Sequence, residues 1–342
     1  MGTLVFRVDA NPRIGTGHFM RCFALAQAWK DKGGDAIFIT ACRNEGLLQR
    51  LRYESFGINI IPESENWAET GKMLDKYPDS WVVLDGYHFN ETYQQQVKEA
   101  GHRLLVIDDM AHLKHYYADV VLNQNLHAEL LHYSCEPYTQ LLLGTKYVLL
   151  RREFQAWKGW KRKIPAIARH VLVTLGGADP GNYTLKVIQA LQRVNLPGLE
   201  ATVVIGGSNV HGDTLQAEIG RSSLPVRLIR DAADMPELMA WADVAVVSGG
   251  ATVWELAFMG VPSIVGITAQ IEEFLVEGLK KYRLFSNVGW FKTISIEQLK
   301  QALYTLIQDE AARRNMVKLG QRLVDGNGCD KIISKLLKQK AR

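Results

Sequence analysis

The chain has 342 residues, 47% hydrophobic and 22% charged, with a net charge of +4; at about 150 residues per domain this is an ordinary globular composition for two domains, each with a sizeable core. So mild a charge excludes the strongly basic profile of a nucleic-acid binder and leaves an anionic small molecule unopposed. No apolar run approaches the roughly 18 residues of a membrane helix, and Met1-Gly2-Thr3 leads straight into a strand and not a leader, so a cytoplasmic chain without a membrane partner is expected.

In chain order, the first predicted strand, Leu4–Val8, runs into Asp9-Ala10-Asn11-Pro12-Arg13-Ile14-Gly15-Thr16-Gly17-His18, and a 3.6-residue periodicity then predicts a helix over Phe19–Lys32, carrying Arg21. Gly15 and Gly17 let the backbone turn tightly and leave amides exposed at the helix start. His18 stands at that start, where the helix dipole favours the neutral imidazole a general base requires. A Gly-x-Gly can equally serve only to pack helix on strand, with His18 as a cap.

Further predicted strands are Asp35–Thr40, Trp81–Leu84, Arg103–Ile107 and Val120–Leu122. The last three end on polar residues: Asp85-Gly86-Tyr87-His88, Asp108-Asp109 and Asn123-Gln124-Asn125. Such loops either face a ligand or cap the next helix, and a capping role is expected of at least one of Asp108 and Asp109. His112, His115, His127 and His132 lack the carboxylate or cysteine spacing of a metal site, so surface histidines are expected. Cys22, Cys42, Cys135 and Cys329 are scattered without metal spacing and read as reduced packing thiols. No metal and no cofactor is expected.

The alternation of strand and helix breaks at Trp157-Lys158-Gly159-Trp160-Lys161-Arg162-Lys163-Ile164-Pro165. Residues 156–165 read as a linker or as a charged surface helix, dividing an N-terminal domain, 1–155, from a C-terminal domain, 166–342. The pattern restarts with a strand at Val171–Leu175, the turn Thr174-Leu175-Gly176-Gly177-Ala178-Asp179-Pro180-Gly181-Asn182 and a helix at Tyr183–Arg193. This turn either faces a ligand or is structural. Strands at Ala201–Ile205 and Val226–Ile229 follow, the second leading into Arg230-Asp231-Ala232-Ala233-Asp234-Met235-Pro236, a loop suited to reading a base through backbone groups.

The most specific pattern comes next. A buried strand, Val244–Val247, enters Ser248-Gly249-Gly250-Ala251-Thr252-Val253-Trp254-Glu255 and a helix over Thr252–Met259, which stops at Gly260-Val261-Pro262 before a strand at Ser263–Val265. Free amides at such a helix start suit a pyrophosphate, and Glu255 is near enough to accept from ribose hydroxyls. The tail Lys331–Arg342 reads as a solvated amphipathic helix. Strand alternating with helix predicts parallel sheets of βαβ units: an α/β chain of two Rossmann-like domains facing across a cleft, with ligand loops at the C-terminal strand ends.

Taken together, Arg7-Val8-Asp9, Ile14–His18 with Arg21, Leu84–Tyr87, Asp108-Asp109, Leu122–Asn125, Gly144–Phe154, Thr174–Gly177, Ser248–Glu255 and Gln270 resemble the GT-B group of sugar-nucleotide enzymes. Within that group the chain looks like the UDP-sugar hydrolases of pseudaminic acid biosynthesis. A lipid-linked peptidoglycan N-acetylglucosaminyltransferase shares the fold and the second-domain Gly-Gly…Glu signature. The resemblance implies a UDP-sugar substrate, His18 as the base that activates water and Tyr87 as an active-site residue near the sugar. It implies substrate contacts from Asp9, Gly15, Gly17, Arg21, Asn123, Asn125, Gly176, Gly177, Ser248, Gly249, Gly250, Ala251, Thr252, Glu255 and Gln270. The family tends to carry Asn before the matched Gln270, where this chain has Ala269.

The chemistry is consistent with that resemblance. UDP is already a good leaving group, so a base, a water and amide dipoles suffice without a paired carboxylic acid. A transferase with a sugar or lipid acceptor would look nearly the same in sequence. A 2-epimerase of this architecture should be richer in carboxylates, and a binding module would bind UDP without turnover. A monomer is expected.

Overall fold

The computed structural model describes residues 1–11, 14–63 and 67–339, apart from the side chain of Lys281. They divide into two compact units, Met1–Gln155 with Gly326–Arg342, and Ala156–Asp325.

The first unit is built on a seven-stranded sheet, ordered β3-β2-β1-β4-β5-β6-β7. Its strands are β1 (Thr3–Val8), β2 (Asp35–Thr40), β3 (Gly57–Ile60), β4 (Trp81–Asp85), β5 (Arg103–Ile107), β6 (Val120–Asn123) and β7 (Gln140–Leu143). Every pairing is parallel. The second unit has a six-stranded sheet, ordered β10-β9-β8-β11-β12-β13, from β8 (His170–Thr174), β9 (Glu200–Ile205), β10 (Val226–Arg230), β11 (Val244–Ser248), β12 (Ser263–Ile267) and β13 (Ser286–Trp290). It too is wholly parallel.

Both orders place the first strand of the unit beside the fourth, so the chain reverses its direction of travel across the sheet between β1 and β4 and again between β8 and β11. Loops at such switch points leave a crevice at the C-terminal strand ends. Registers bring specific residues there. Val8 lies opposite Asp85, which lies opposite Ile107; in the second unit Val247 lies opposite Thr174 and Ser248 opposite Gly266.

The core follows from the patterning. Helix Gly17–Asp31 buries Phe19, Cys22, Leu25, Ala26 and Trp29 against Phe6 and Phe38, whose rings stack at 4.9 Å. The larger of these, such as Phe19 and Leu25, are each worth about 1.5–3 kcal/mol when fully removed from water. The second unit repeats the scheme, with Val171, Val173, Val244 and Val246 under Val187, Ile188 and Leu191 of helix Tyr183–Gln192.

Two sequence expectations are corrected. The last helix, Gly328–Lys338, is not a solvated end of the second domain but packs into the first unit; residues 340–342 of that tail lie outside the described residues. Its positions i, i+3, i+4 and i+7, namely Cys329, Ile332, Ile333 and Leu336, join the core of Ala24, Leu25 and Leu149, as an apolar stripe of that period requires. Its first residue fits only as glycine, since a Cβ on Gly328 would lie 2.0 Å from the Val148 carbonyl oxygen.

The stretch 156–165 is likewise no free linker. The Arg162 guanidinium donates to the carbonyls of Met239, Ala240, Ala242 and Met259, where helices Met235–Trp241 and Thr252–Met259 end, a favourable place for a cation. Burial lowers its pKa to about 10. Arg313 donates to the carbonyls of Pro165 and Ala166 and fixes the far end of the stretch.

Candidate active site

In the first unit, the turn after β1 is closed by Asn11, whose side chain accepts from the Ile14 amide at 2.8 Å and whose carbonyl accepts from the Gly15 amide at 2.8 Å. Pro12 and Arg13 of this turn lie outside the described residues. Gly15 has φ +79°, the left-handed conformation that glycine adopts freely. Helix Gly17–Asp31 then begins with no capping side chain and no acidic residue in its first turn, whereas Asn44, Asn90, Asp234, Ser295 and Asp309 cap other helices.

His18 projects from this uncapped start onto the end of β4. Its Nδ1 lies 2.6 Å from Asp85 Oδ1. A carboxylate brings no hydrogen of its own, so the proton of this contact sits on Nδ1 and the neutral ring keeps its lone pair on Nε2. Nε2 has no partner among the described residues. Arg21, one turn further along the same helix, donates Nε and Nη2 to Asp85 at 2.6 and 2.7 Å and Nη1 to Asp109 at 2.8 Å.

Tyr87 completes the group. Its ring meets the His18 ring edge to face at 4.9 Å, and its hydroxyl donates to Asp109 Oδ2 at 2.7 Å. Burial, and then the Asp109 charge, push its pKa far above the ordinary range, so the phenol stays protonated. Burial would also raise the carboxyls of Asp85 and Asp109, but the Arg21 charge beside each outweighs it and holds both below the usual carboxylate range. Both are therefore anions at neutral pH.

Two carboxylates, Asp85 and Asp109, thus stand around His18, both ionised. Asp85 and Asp109 come from neighbouring strand ends, far from His18 in sequence. Asp109 also accepts from Asn125 Nδ2 at 2.7 Å, and Asn125 is held in turn by Asn123 Oδ1 at 3.0 Å. Asn123, fully buried, supports Asn125 from beneath. No helix follows this strand end, so the helix cap expected of Asp108 or Asp109 is not found: Asp108 instead closes a turn, accepting from the amides of Met110 and Ala111.

Asp9 faces inward. It accepts from Arg7 and from the Ala41 amide, each at 2.6 Å, and its other oxygen lies 3.1 Å from His88 Nε2. Burial raises its carboxyl, but the bonds from His88 and Arg7 outweigh that and hold it low. Of the four histidines expected at the surface, His132 is exposed, His115 is half-buried and His127 is buried with its Nε2 on the Asp109 carbonyl at 3.2 Å. His112 is exposed and packs its ring edge to face on Tyr87 at 5.5 Å. Among the described residues no cluster of three or more His, Cys, Asp or Glu side chains could hold a metal ion.

In the second unit, three glycine pairs end the neighbouring strands β9, β8 and β11: Gly206-Gly207, Gly176-Gly177 and Gly249-Gly250. They are close-packed, since a Cβ on Gly206 would sit 2.6 Å from the Gly177 backbone. The glycine turn at Thr174–Asn182 does not leave a free helix start. Asp179, buried and raised in pKa by that burial, accepts from the amides of Tyr183 and Thr184 at 3.0 and 2.8 Å.

The Ser248–Glu255 turn differs. Helix Thr252–Met259 has no capping side chain, and the amides of Gly250, Ala251 and Thr252 have no acceptor among the described residues. Glu255 is the fourth residue of that helix. Across the glycines stands helix Gln270–Leu279, with Gln270 and its N-cap Ala269 exposed. Ala269 offers no side-chain cap, and Glu272 instead accepts from the Thr268 amide at 2.6 Å. Asp231 accepts from the Gly207 amide at 2.6 Å and Arg230 donates to the Gly206 carbonyl, so this loop pair braces the glycines after β9.

No family model matches the chain. It is 26% identical over 264 residues to an uncharacterised protein of Methanocaldococcus jannaschii, covering 75% of this chain and 54% of that one, so it spans about half the length of that relative. It is 22% identical to the spore coat polysaccharide biosynthesis protein SpsG of Bacillus subtilis, covering 94% of this chain and 93% of SpsG. It is 23% identical over 261 residues to the UDP-2,4-diacetamido-2,4,6-trideoxy-beta-L-altropyranose hydrolase of Campylobacter jejuni, covering 74% of this chain and 86% of that protein. Among solved structures, MurG of Acinetobacter baumannii superposes with a TM-score of 0.66 at 14% identity, covering 99% of both chains. A putative UDP-N-acetylglucosamine 2-epimerase of Listeria monocytogenes does so with a TM-score of 0.66 at 14% identity, covering 99% of this chain and 98% of that one. Among the described residues no helix is long and apolar enough to cross a membrane. With two parallel Rossmann-type sheets and these likenesses, the chain has the GT-B fold.

Proposed function

We propose that this chain is a UDP-sugar hydrolase that releases UDP from a UDP-linked 2,4-diacetamido-2,4,6-trideoxyhexose with inversion at the anomeric carbon. The observation that carries the reading is the His18–Asp85 contact at the β1/β4 switch point, which leaves Nε2 as an oriented base. The uncapped glycine turn at the β11 end supports a diphosphate in the second unit. In the step proposed, His18 Nε2 takes a proton from water as the water oxygen bonds the anomeric carbon. The bond from that carbon to the phosphate oxygen breaks, and UDP leaves with its electron pair. Asp85 stabilises the imidazolium so formed.

The named Campylobacter relative supports water as acceptor. A 2-epimerase reading gains little from Asp85 and Asp109, because Arg21 keeps both ionised and neither has a proton to give. A second reading, an inverting UDP-sugar glycosyltransferase of surface or spore-coat polysaccharide synthesis, is favoured by the match along 94% of this chain to SpsG.

Incubation with a panel of UDP-sugars, with anomer-resolved NMR of the product, separates the two. Hydrolysis requires UDP release without acceptor, inverted free sugar, and loss of both in His18→Ala. Release that appears only when an acceptor is added overturns the hydrolase reading in favour of the transferase.

A further inference from the structure

A second histidine repeats the geometry of His18 against Tyr87. The His112 ring meets the Tyr87 ring edge to face at 5.5 Å, as the His18 ring does at 4.9 Å. His112 Nδ1 lies 2.8 Å from Asp108 Oδ1. The other Asp108 oxygen accepts from Met110 N, Ala111 N and the Tyr133 hydroxyl, so this fully buried carboxylate accepts all its bonds. Nδ1 is then the protonated nitrogen and Nε2 the outward one, without a partner among the described residues. The side chain is 25% exposed, against 12% for His18. Two imidazoles, each fixed by a buried carboxylate and each with its Nε2 free of partners among the described residues, therefore meet one neutral phenol at the ends of β1, β4 and β5.

A histidine that served only to close the Asp108 turn would not need its ring against Tyr87 or its second nitrogen at the surface. We infer that His112 is a second substrate-contacting residue, whose Nε2 accepts a hydrogen bond from a hydroxyl or amide N–H on the sugar. This rests on the UDP-sugar reading above. It gives His112 a specificity role: His18 handles the attacking water, and His112 reads a sugar substituent. An imidazole with its proton on Nδ1 accepts at Nε2, and an N-acetylated sugar offers an amide N–H to such an acceptor.

The test is calorimetric titration of wild type and His112→Ala with UDP and, as the UDP-sugar, with the non-hydrolysable C-glycosidic analogue of a UDP-linked 2,4-diacetamido-2,4,6-trideoxyhexose. The expected result is equal UDP affinity in the two proteins and about tenfold weaker UDP-sugar binding in the variant, the worth of one hydrogen bond to a buried partner. A purely structural role would leave the ratio of the two affinities unchanged, and a change under twofold overturns the inference. Wild type that binds neither ligand overturns the UDP-sugar reading itself, a different failure. Should the variant not fold, the wild-type imidazole signals decide: the His112 ring resonances shift with the UDP-sugar but not with UDP alone, and resonances unmoved by the UDP-sugar overturn the inference.

Discussion

Asp85 Oδ1 lies 2.6 Å from His18 Nδ1 although the residues are 67 positions apart in the chain. The contact exists because β1 and β4 are neighbours in register, with Val8 opposite Asp85. In the proposed reaction Asp85 fixes the tautomer of His18, orients it and answers the charge it acquires. Asp85→Asn can do none of these fully. The expected outcome is a fall in kcat for UDP release of about 10²–10⁴-fold, with UDP affinity by calorimetry unchanged. A kcat within threefold of wild type would show that Asp85 does not act through His18.

Acid should unfold the first unit before neutral pH does. The carboxyls of Asp9, Asp85 and Asp109 titrate below the ordinary range in the folded protein, whereas in the unfolded chain they take up protons near roughly pH 4. Between those values the unfolded state holds more protons, so stability is complete above about pH 4 and is lost as pH falls through the folded values. His102 and His127, lowered by burial, act in the same direction below roughly pH 6.5. The urea midpoint should therefore be flat from pH 8 to 7, decline gently below 6.5 and drop steeply below 4. A midpoint that rises on acidification contradicts this account.

Ten strands are visible in the sequence, and the three that are not, β3, β7 and β13, each lie at a sheet edge. Central parallel strands are covered on both faces and read as unbroken apolar runs: β4, β11 and β12 are buried throughout. Gly57–Ile60 and Ser286–Trp290 have no fully buried residue, so nothing forces such a run on them. The site divides in the same way. Gly15, His18 and the Ser248–Glu255 turn stand out because a strand, a glycine pair and a helix follow one another locally. The partnership of His18 with Asp85, and of Tyr87 with His112, depends on which strands become neighbours, and no local pattern carries that.

The final helix is another feature set by distant packing. Leu336 is fully buried in the core of the first unit, 0% exposed, although nearly the whole second unit separates it in sequence from the residues it covers. Leu336→Ala should cost about 2–5 kcal/mol, the transfer loss plus a cavity, read as a lower urea midpoint for the first unit. The Lys338→Ala control, at an exposed site on the same helix, should fall within ±0.5 kcal/mol of wild type. Equal, small effects at both positions would mean that the helix does not dock as described.

The two glycines after β11 separate folding from binding. A Cβ on Gly249 would lie 2.4 Å from Val276 Cγ2 and 3.1 Å from Glu272 Cβ, both on helix Gln270–Leu279, so Gly249→Ala must push a packed helix away. Overpacking of this kind costs about 1–3 kcal/mol, and the thermal transition of the second unit should fall by several degrees. A Cβ on Gly250 would meet only Ser248 Oγ at 3.9 Å and Glu272 Oε1 at 4.0 Å, ordinary contacts, so Gly250→Ala should melt close to wild type. Its methyl nonetheless stands beside the amides of Gly250, Ala251 and Thr252, where a phosphate would have to approach. Loss of one or two bonds to that anion predicts UDP binding weaker by about tenfold to a hundredfold. Gly250→Ala that binds UDP as tightly as wild type would move the diphosphate away from this turn, whatever Gly249→Ala does to stability.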